Sequence, residues 1–446
     1  MKLQVKAENT NYVAKVIRLN ELRPHPNANK LQIASVLGYN VITGLDAKKG
    51  DWYVYFPLEC AINKNYLSWS NSFSDAELNK DTKKKGFFPS SGRVKAVKLR
   101  SVASEGYIVP LSDLFNWFET NCVKIDIDAF TEGVDFDTVD NILVCAKYIN
   151  EAALRKMEQE ANREKNKGKK AVRVSKIIEN QYRVAEDTSA LKRNVQNINP
   201  ADLISISYKM HGCNGSMGKV LCRRPLNWYE KLLKKIGVKI DDKHYDLVYA
   251  SRRILKNAYA DKVSQSFYDM DVWKLMADKY KDTLKNGITL YGEIVNQLPN
   301  GKWIQGNFDY GIPEKQCEFF VYRITYTNPS GDIFEFSRPQ IDRYCSKAGL
   351  KVVPLFYYGL AKDWDTTVSI DEHWHKNFLE KLILKYNEKD CYMCINKVPC
   401  EGIVLVKESD FFEAYKLKSM SFLARESEEL DSGKVDIETA ENVAIE

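Results

Sequence analysis

No stretch of this 446-residue chain approaches the ~20 unbroken apolar residues that span a bilayer. Its first residues, Met1-Lys2-Leu3-Gln4-Val5-Lys6, lack the apolar core of a secretion signal. Histidine is scarce, at five residues, so there is little material for a histidine-rich metal centre. Ten cysteines without a secretion signal read as reduced thiols rather than a disulfide framework. No internal repeat of about 20–50 residues is visible, which argues against a solenoid or propeller. These absences exclude a secreted, membrane-spanning or fibrous protein and predict a cytoplasmic one.

What is present suits a folded, soluble chain. Apolar residues make up 44% and charged residues 28%, enough for a sizeable core. The length predicts two or three domains of roughly 150 residues each. Sixty-six basic residues face sixty acidic ones, but the charge is uneven. From Arg425 to the end there are eight acidic and two basic residues, so the remaining body carries +12. A body that basic attracts polyanions and releases counterions on binding them.

The chain divides by pattern. Residues 1–145 alternate short β-branched and aromatic runs with turn chemistry, as at 12–17, 31–36, 39–42, 52–56 and 94–99. Such spacing predicts an all-β barrel or sandwich. Residues 146–170 read as an exposed helical linker that ends in Lys167-Gly168-Lys169-Lys170. From 171 to 424 strands and helices alternate in an α+β pattern. Helices are predicted at 227–236, 270–284 and 372–386, and strands at 203–208, 288–295, 318–326 and 402–406. Residues 425–446 read as a flexible acidic tail.

The chemistry concentrates in a few segments. In Ile204-Ser205-Ile206-Ser207-Tyr208-Lys209-Met210-His211-Gly212-Cys213-Asn214 a strand runs into a lysine, with a glycine three positions on. A lysine at a strand end can face a pocket, and desolvation or nearby cations make such an amine nucleophilic. Glu293, in Leu290-Tyr291-Gly292-Glu293-Ile294-Val295, sits on an apolar strand, and Glu401-Gly402 precedes another. Tyr322 stands on the aromatic strand Phe319-Phe320-Val321-Tyr322-Arg323. Lys416 and Lys418 alternate in Ala414-Tyr415-Lys416-Leu417-Lys418, so both point to one side. Charges flanked by buried strand residues need partners, and a triphosphate with a divalent metal supplies both signs.

In motif order and content this set resembles the covalent nucleotidyltransferase superfamily of polynucleotide ligases and mRNA-capping enzymes. Lys209-x-His211-Gly212-x-Asn214 is most similar to the RNA ligase version. Arg23-Pro24-His25-Pro26-Asn27-Ala28-Asn29-Lys30-Leu31, Lys49-Gly50-Asp51-Trp52-Tyr53-Val54-Tyr55-Phe56 and Gly92-Arg93-Val94-Lys95-Ala96-Val97-Lys98-Leu99-Arg100 resemble the OB module of one nick-sealing group of RNA ligases. The resemblance covers most of residues 10–110 and 200–420. After Lys418 only 28 residues follow, fewer than the OB domain that DNA ligases and capping enzymes append there.

The resemblance implies an N-terminal OB-like β-barrel followed by a nucleotidyltransferase, ATP-grasp-like α+β ligase domain. It implies an ATP-dependent RNA ligase that joins 5′-phosphate and 3′-hydroxyl ends at nicks in duplex RNA or an RNA–DNA hybrid. Lys209 would form lysyl-AMP, and Glu293 and Glu401 would serve Mg²⁺ or Mn²⁺ and the ribose. Lys416 and Lys418 would neutralise phosphates, Tyr322 would stack on adenine, and His211, Gly212, Asn214 and Arg252 would hold the nucleotide, with Arg253 the alternative to Arg252. The enzyme would act in the cytoplasm, that of a host if it is phage-encoded. A capping-type guanylyltransferase and a non-catalytic nucleic-acid-binding protein are the other readings.

Three features depart from the family pattern. Arg323 follows Tyr322 where many relatives carry Asp, Cys213 replaces a common Thr or Ser, and a basic helix is inserted at 228–235. His373, His375, Cys391, Cys394 and Cys400 raise a zinc site, although one Cys-x-x-Cys lacks a matching second pair. Trp52, Tyr53 and Tyr55 offer base-stacking faces, with about half of them core by alternation.

Overall fold

A computed structural model describes residues 2–7, 9–150, 155, 176–256, 270–386 and 388–432. Most of the linker expected at 146–170, including its basic run, and the tail beyond 432 lie outside the described residues.

The unbroken apolar strand Trp52–Phe56 is explained by cover on both faces. Val54 and Phe56 enter one core with Ala14, Val16 and Trp117, while Tyr53 and Tyr55 enter another with Ile17, Leu19 and Ile108. The strand pairs antiparallel with Tyr107–Pro110 and Ala14–Arg18, and the latter pairs with Asp135–Phe136. A second sheet joins Glu21–Pro24, Leu31–Val36 and Tyr39–Gly44. Among the described residues these strands form separate small sheets and no single closed ring.

The all-β expectation for residues 1–145 is corrected by two helices, Lys64–Trp69 and Leu111–Thr120. The second buries Leu111, Leu114, Trp117 and Phe118, a spacing of three and four that marks one helix face. Of the three aromatics considered for stacking, Tyr53 and Tyr55 are core and only Trp52 is exposed.

Two antiparallel-rich sheets build the second half. One orders Ser189–Ala190, Glu413–Lys418, Gly402–Lys407, Leu203–Tyr208 and Leu355–Leu360. The other carries Cys213–Arg223, Ile288–Asn296 and Cys317–Thr327, with Lys243–Ser251 paired along Cys213–Arg223. Period-two patterning sorts the first sheet's faces. Ile204, Ile206, Ile403, Leu405, Tyr415 and Leu417 pack on Trp374 and Phe378 of helix Trp374–Tyr386. The opposite face, with Ser205, Ser207, Lys416 and Lys418, is left for chemistry.

The segment after Arg425, expected to be tail, begins as helix. Met420–Asp431 is helical, and Ser419 caps it by accepting the N–H of Phe422 at 3.2 Å. Its last acidic residue is held by cations of the body: Asp431 lies 3.1 Å from Arg93 and 2.7 Å from Lys95. All ten cysteines are free thiols. Among the described residues no helix is long and apolar enough to cross a membrane.

Arg93 ties the N-terminal sheets to this helix. Its buried guanidinium donates to both oxygens of Glu59 at 2.7 Å, to Asp431 at 3.1 Å and to the Ser427 carbonyl at 3.4 Å. Arg93→Met is expected to destabilise the fold by roughly 3–5 kcal/mol, because it strands the Glu59 carboxylate. Denaturant unfolding measures this, and adding Glu59→Gln should restore part of the loss.

Candidate active site

Strand Leu203–Tyr208 belongs to one sheet and Cys213–Arg223 to the other, so residues 209–212 cross the cleft between them. Lys209 starts the crossing and is anchored there by its N–H, which donates to Gly402 O at 3.0 Å. Its Nζ lies 2.6 Å from Oε1 of Glu401, a carboxylate only 3% exposed. Lys418 Nζ lies 3.7 Å from the same oxygen and 3.0 Å from Glu426. Lys416 shares its side of strand Glu413–Lys418.

Two glycines make the arrangement possible. Gly402 has φ +139°, and a Cβ there would stand 1.9 Å from Leu417 O. Only glycine lets Glu401 enter the cleft while its strand pairs with the lysine strand. At Gly212 a Cβ would lie 2.3 Å from Ile294 O and 2.9 Å from Glu293 Cγ. The lysine loop therefore lies directly on the strand that carries Glu293.

The other expected residues converge on the same cleft. The ring of His211 stands edge-on between Phe308 and Phe422, with Nδ1 3.5 Å from Glu401 Oε2. Asn214 donates to the Tyr322 hydroxyl at 2.8 Å, which fixes that ring. Tyr322 borders a cavity of about 410 Å³, together with Ser205, Ser207, Val406 and Phe412. Arg252 lies 2.7 Å from Asp187, and Arg253 pairs with the other oxygen of the same carboxylate. Arg323, the departure from family pattern, is buried on Glu335, with Nε 2.9 Å from one oxygen.

The electrostatics reflect this crowding. Burial alone would push the Glu401 pKa up, but Lys209, His211 and Lys418 hold it well below the usual carboxylate range. Lys416 is lowered to about 7 by burial and by the cations Lys418, Arg252 and Lys209. Burial opposes charge on Lys418 too, yet Glu426 and Glu401 raise its pKa. Lys416 is thus the cation of the cleft whose proton is loosened.

Oε2 of Glu401 is buried and has no hydrogen-bond partner among the described residues. An orphaned carboxylate oxygen fits a hard cation. Among the described residues, however, no group of three or more His, Cys, Asp or Glu side chains gathers for a metal. The site therefore suits Mg²⁺ or Mn²⁺ held by Glu401 with substrate oxygens and water, rather than a closed protein cage. The zinc alternative receives no support. His375 Nε2 is bonded to Ile198 O at 3.0 Å, and His373 lies beside Glu372. Cys391 and Cys394 touch each other, Sγ to Sγ, at 3.1 Å.

Sequence reasoning missed several members. Asp187, which binds both arginines, lies in a stretch with no strand or helix period. Glu426 fell within the segment read as tail. Tyr310, which donates to His211 O at 3.3 Å and accepts from His211 N at 2.8 Å, and Gln305, which donates to Gly212 O at 3.0 Å, come from an irregular loop.

With Lys416 poised near neutrality, a bound polyphosphate should favour its charged form. Binding of tripolyphosphate is expected to take up a proton at about pH 8 and almost none at about pH 6, with affinity falling as pH rises through neutrality. Calorimetry in buffers of different ionisation enthalpy reads the uptake. Lys416→Met should remove it.

Residues 202–420 match the family model described as RNA ligase. Among solved structures, the chain is similar to an RNA ligase of Naegleria gruberi in several forms. The form with AMP and Mn aligns at 14% identity and TM-score 0.55, covering 92% of this chain and 98% of that one. An apo form aligns at 15% and 0.56, covering 94% and 99%. A form with ATP and Mn aligns at 16% and 0.54, again covering 94% and 99%. These likenesses bear on the fold. No curated protein sequence matches the chain. The stretch matched by the family model contains the lysine loop, both glutamates, Tyr322 and the twin lysines, and on that match residues 202–420 of this chain belong to the RNA ligase family.

Proposed function

We propose that this protein is an ATP-dependent RNA ligase that seals 5′-phosphate and 3′-hydroxyl ends at nicks through a lysyl-AMP intermediate. One observation carries the reading. Lys209 starts the loop that crosses between the two sheets, paired to a buried glutamate and beside two further cations. That constellation suits an amine that must meet a polyanion.

In the first step Lys209 Nζ, once deprotonated, attacks the α-phosphorus of ATP. The N–P bond forms as the bond to the bridging oxygen breaks, and diphosphate leaves. The adenine would lie in the cavity against Tyr322, whose ring Asn214 holds in place. Lys416, Lys418 and Arg252 would receive the phosphates, with Asp187 giving way as the partner of Arg252. In the second step a 5′-phosphate oxygen displaces Lys209 and takes the AMP. In the third, the 3′-hydroxyl attacks that 5′-phosphate, AMP leaves and the phosphodiester is closed. A divalent cation at Glu401 and Glu293 supplies charge neutralisation when bound. The protein's part throughout is positioning and electrostatic complementarity.

The N-terminal half serves in this reading as an OB-like grip on nicked duplex RNA. A cavity of about 150 Å³ supports it, because Tyr12 and Lys147 of that half line it with Lys416 and Lys418. The free thiols suit a reducing cytoplasm.

Incubation with α-labelled ATP or GTP followed by denaturing electrophoresis, and sealing of matched RNA and DNA nicks, test the proposal. ATP labelling and RNA-nick sealing are expected, both lost in Lys209→Ala. Labelling by GTP alone would point to a capping enzyme, and sealing by Lys209→Ala would overturn the nucleophile.

A further inference from the structure

The helix Trp228–Lys235, whose insertion the family pattern does not explain, carries a run of exposed apolar side chains. Trp228 is 79% exposed, Leu232 55% and Ile236 70%, and at intervals of four they form one stripe, with Tyr229 beside them. The helix's other face is fastened down. Glu230 accepts from Arg224 at 2.7 and 3.0 Å and from the Asn227 N–H at 2.8 Å, and Lys234 donates to Asp242 at 3.1 Å. The stripe is therefore presented outward by built contacts.

Charge decides what the stripe faces. Residues 223–243 hold seven basic and three acidic side chains, a net of +4 within a chain whose total is +6. All three acids have basic neighbours within the segment: Glu230 and Asp242 pair with its cations, and Asp241 lends its carbonyl to Arg224 at 3.2 Å. Lys231 and Lys235, which flank Trp228 on the helix, pair with no carboxylate among the described residues. Unneutralised lysines beside an open indole and phenol match phosphates next to unstacked bases. An apolar protein surface would leave the lysines unanswered. Paired A-form RNA exposes no base faces to stack on; loops and bulges do.

Position gives the distance. The helix follows strand Cys213–Arg223, which starts at the lysine loop. Eleven residues at about 3.3 Å each put the helix up to roughly 35 Å along the strand from the lysine loop, about one turn of an A-form RNA helix.

Resting on the ligase reading above, we propose that this helix is a second RNA-docking site, which holds unpaired nucleotides about one helical turn from the joint. The preferred substrate is thus a nicked RNA stem that carries a loop or bulge at that spacing, rather than an uninterrupted duplex.

The test uses the full chain and two synthetic nicked RNA duplexes, one fully paired and one with a four-nucleotide bulge about one helical turn from the nick. Fluorescence anisotropy across a salt series gives affinity, and labelling by α-labelled ATP serves as the internal control. The unaltered protein should bind the bulged duplex at least fivefold more tightly. Trp228→Ala should erase that preference. Lys231→Glu with Lys235→Glu should weaken binding and lower the salt slope by about two. In all variants labelling of Lys209 should be unchanged, which also reports intact folding. Equal affinity for the two duplexes, or a preference that survives Trp228→Ala, overturns the inference. So does loss by these variants of binding to anionic phosphatidylserine vesicles, or of self-association in gel filtration, with RNA affinity intact. If the unaltered protein accepts no label from ATP, it is the ligase reading that fails.

Discussion

The architecture turns on one ion pair, Lys209 Nζ against Glu401 Oε1 at 2.6 Å, placed where two sheets face each other. A carboxylate 3% exposed cannot stay charged without close cations, and three basic side chains surround this one. Two, Lys209 and His211, come from the loop after one strand, with His211 held between two phenylalanines, and the third from the strand end at Lys418, all against the segment of Glu401 itself. Satisfying Glu401 thus fixes three parts of the chain against one another. The same crowding of cations loosens the proton of Lys416, leaving the cleft responsive to an incoming polyanion.

Backbone constraints make this pair attainable. Gly402 occupies a conformation that side chains avoid, and its missing Cβ would collide with the neighbouring strand. Gly212 brings the Lys209 loop onto the Glu293 strand in the same way. The glutamates and the lysine approach because two positions carry nothing. Behind them, aliphatic residues of the first sheet pack on Trp374 and Phe378, so the polar face rests on a rigid layer.

Much of this was legible in the sequence because it follows simple periods. Strand Leu203–Tyr208 alternates Ile with Ser and lands on Lys209, and the observed strand has the predicted bounds. Lys416 and Lys418 share a side as alternation requires, and Trp374, Phe378 and Leu382 are all buried. What could not be read depends on partners distant in sequence. Asp187 matters because Arg252 and Arg253 fold onto it, and nothing local marks it. Glu426 and Asp431 looked like tail because their charges are answered only by Lys418, Arg93 and Lys95. Helix Leu111–Thr120 was overlooked among strand signals although its apolar spacing was present.

The exposed helix Trp228–Lys235 extends the same proposal outward, from cations in the cleft to the lysines beside its apolar stripe. In the proposed reaction Lys209 itself takes the nucleotide. Peptide mapping by mass spectrometry after brief incubation with ATP and Mg²⁺ tests it most directly. One AMP on the peptide containing Lys209, absent from that peptide in Glu401→Gln, is the expected result. An adduct on any other residue, or none on a protein that still seals RNA, would contradict it.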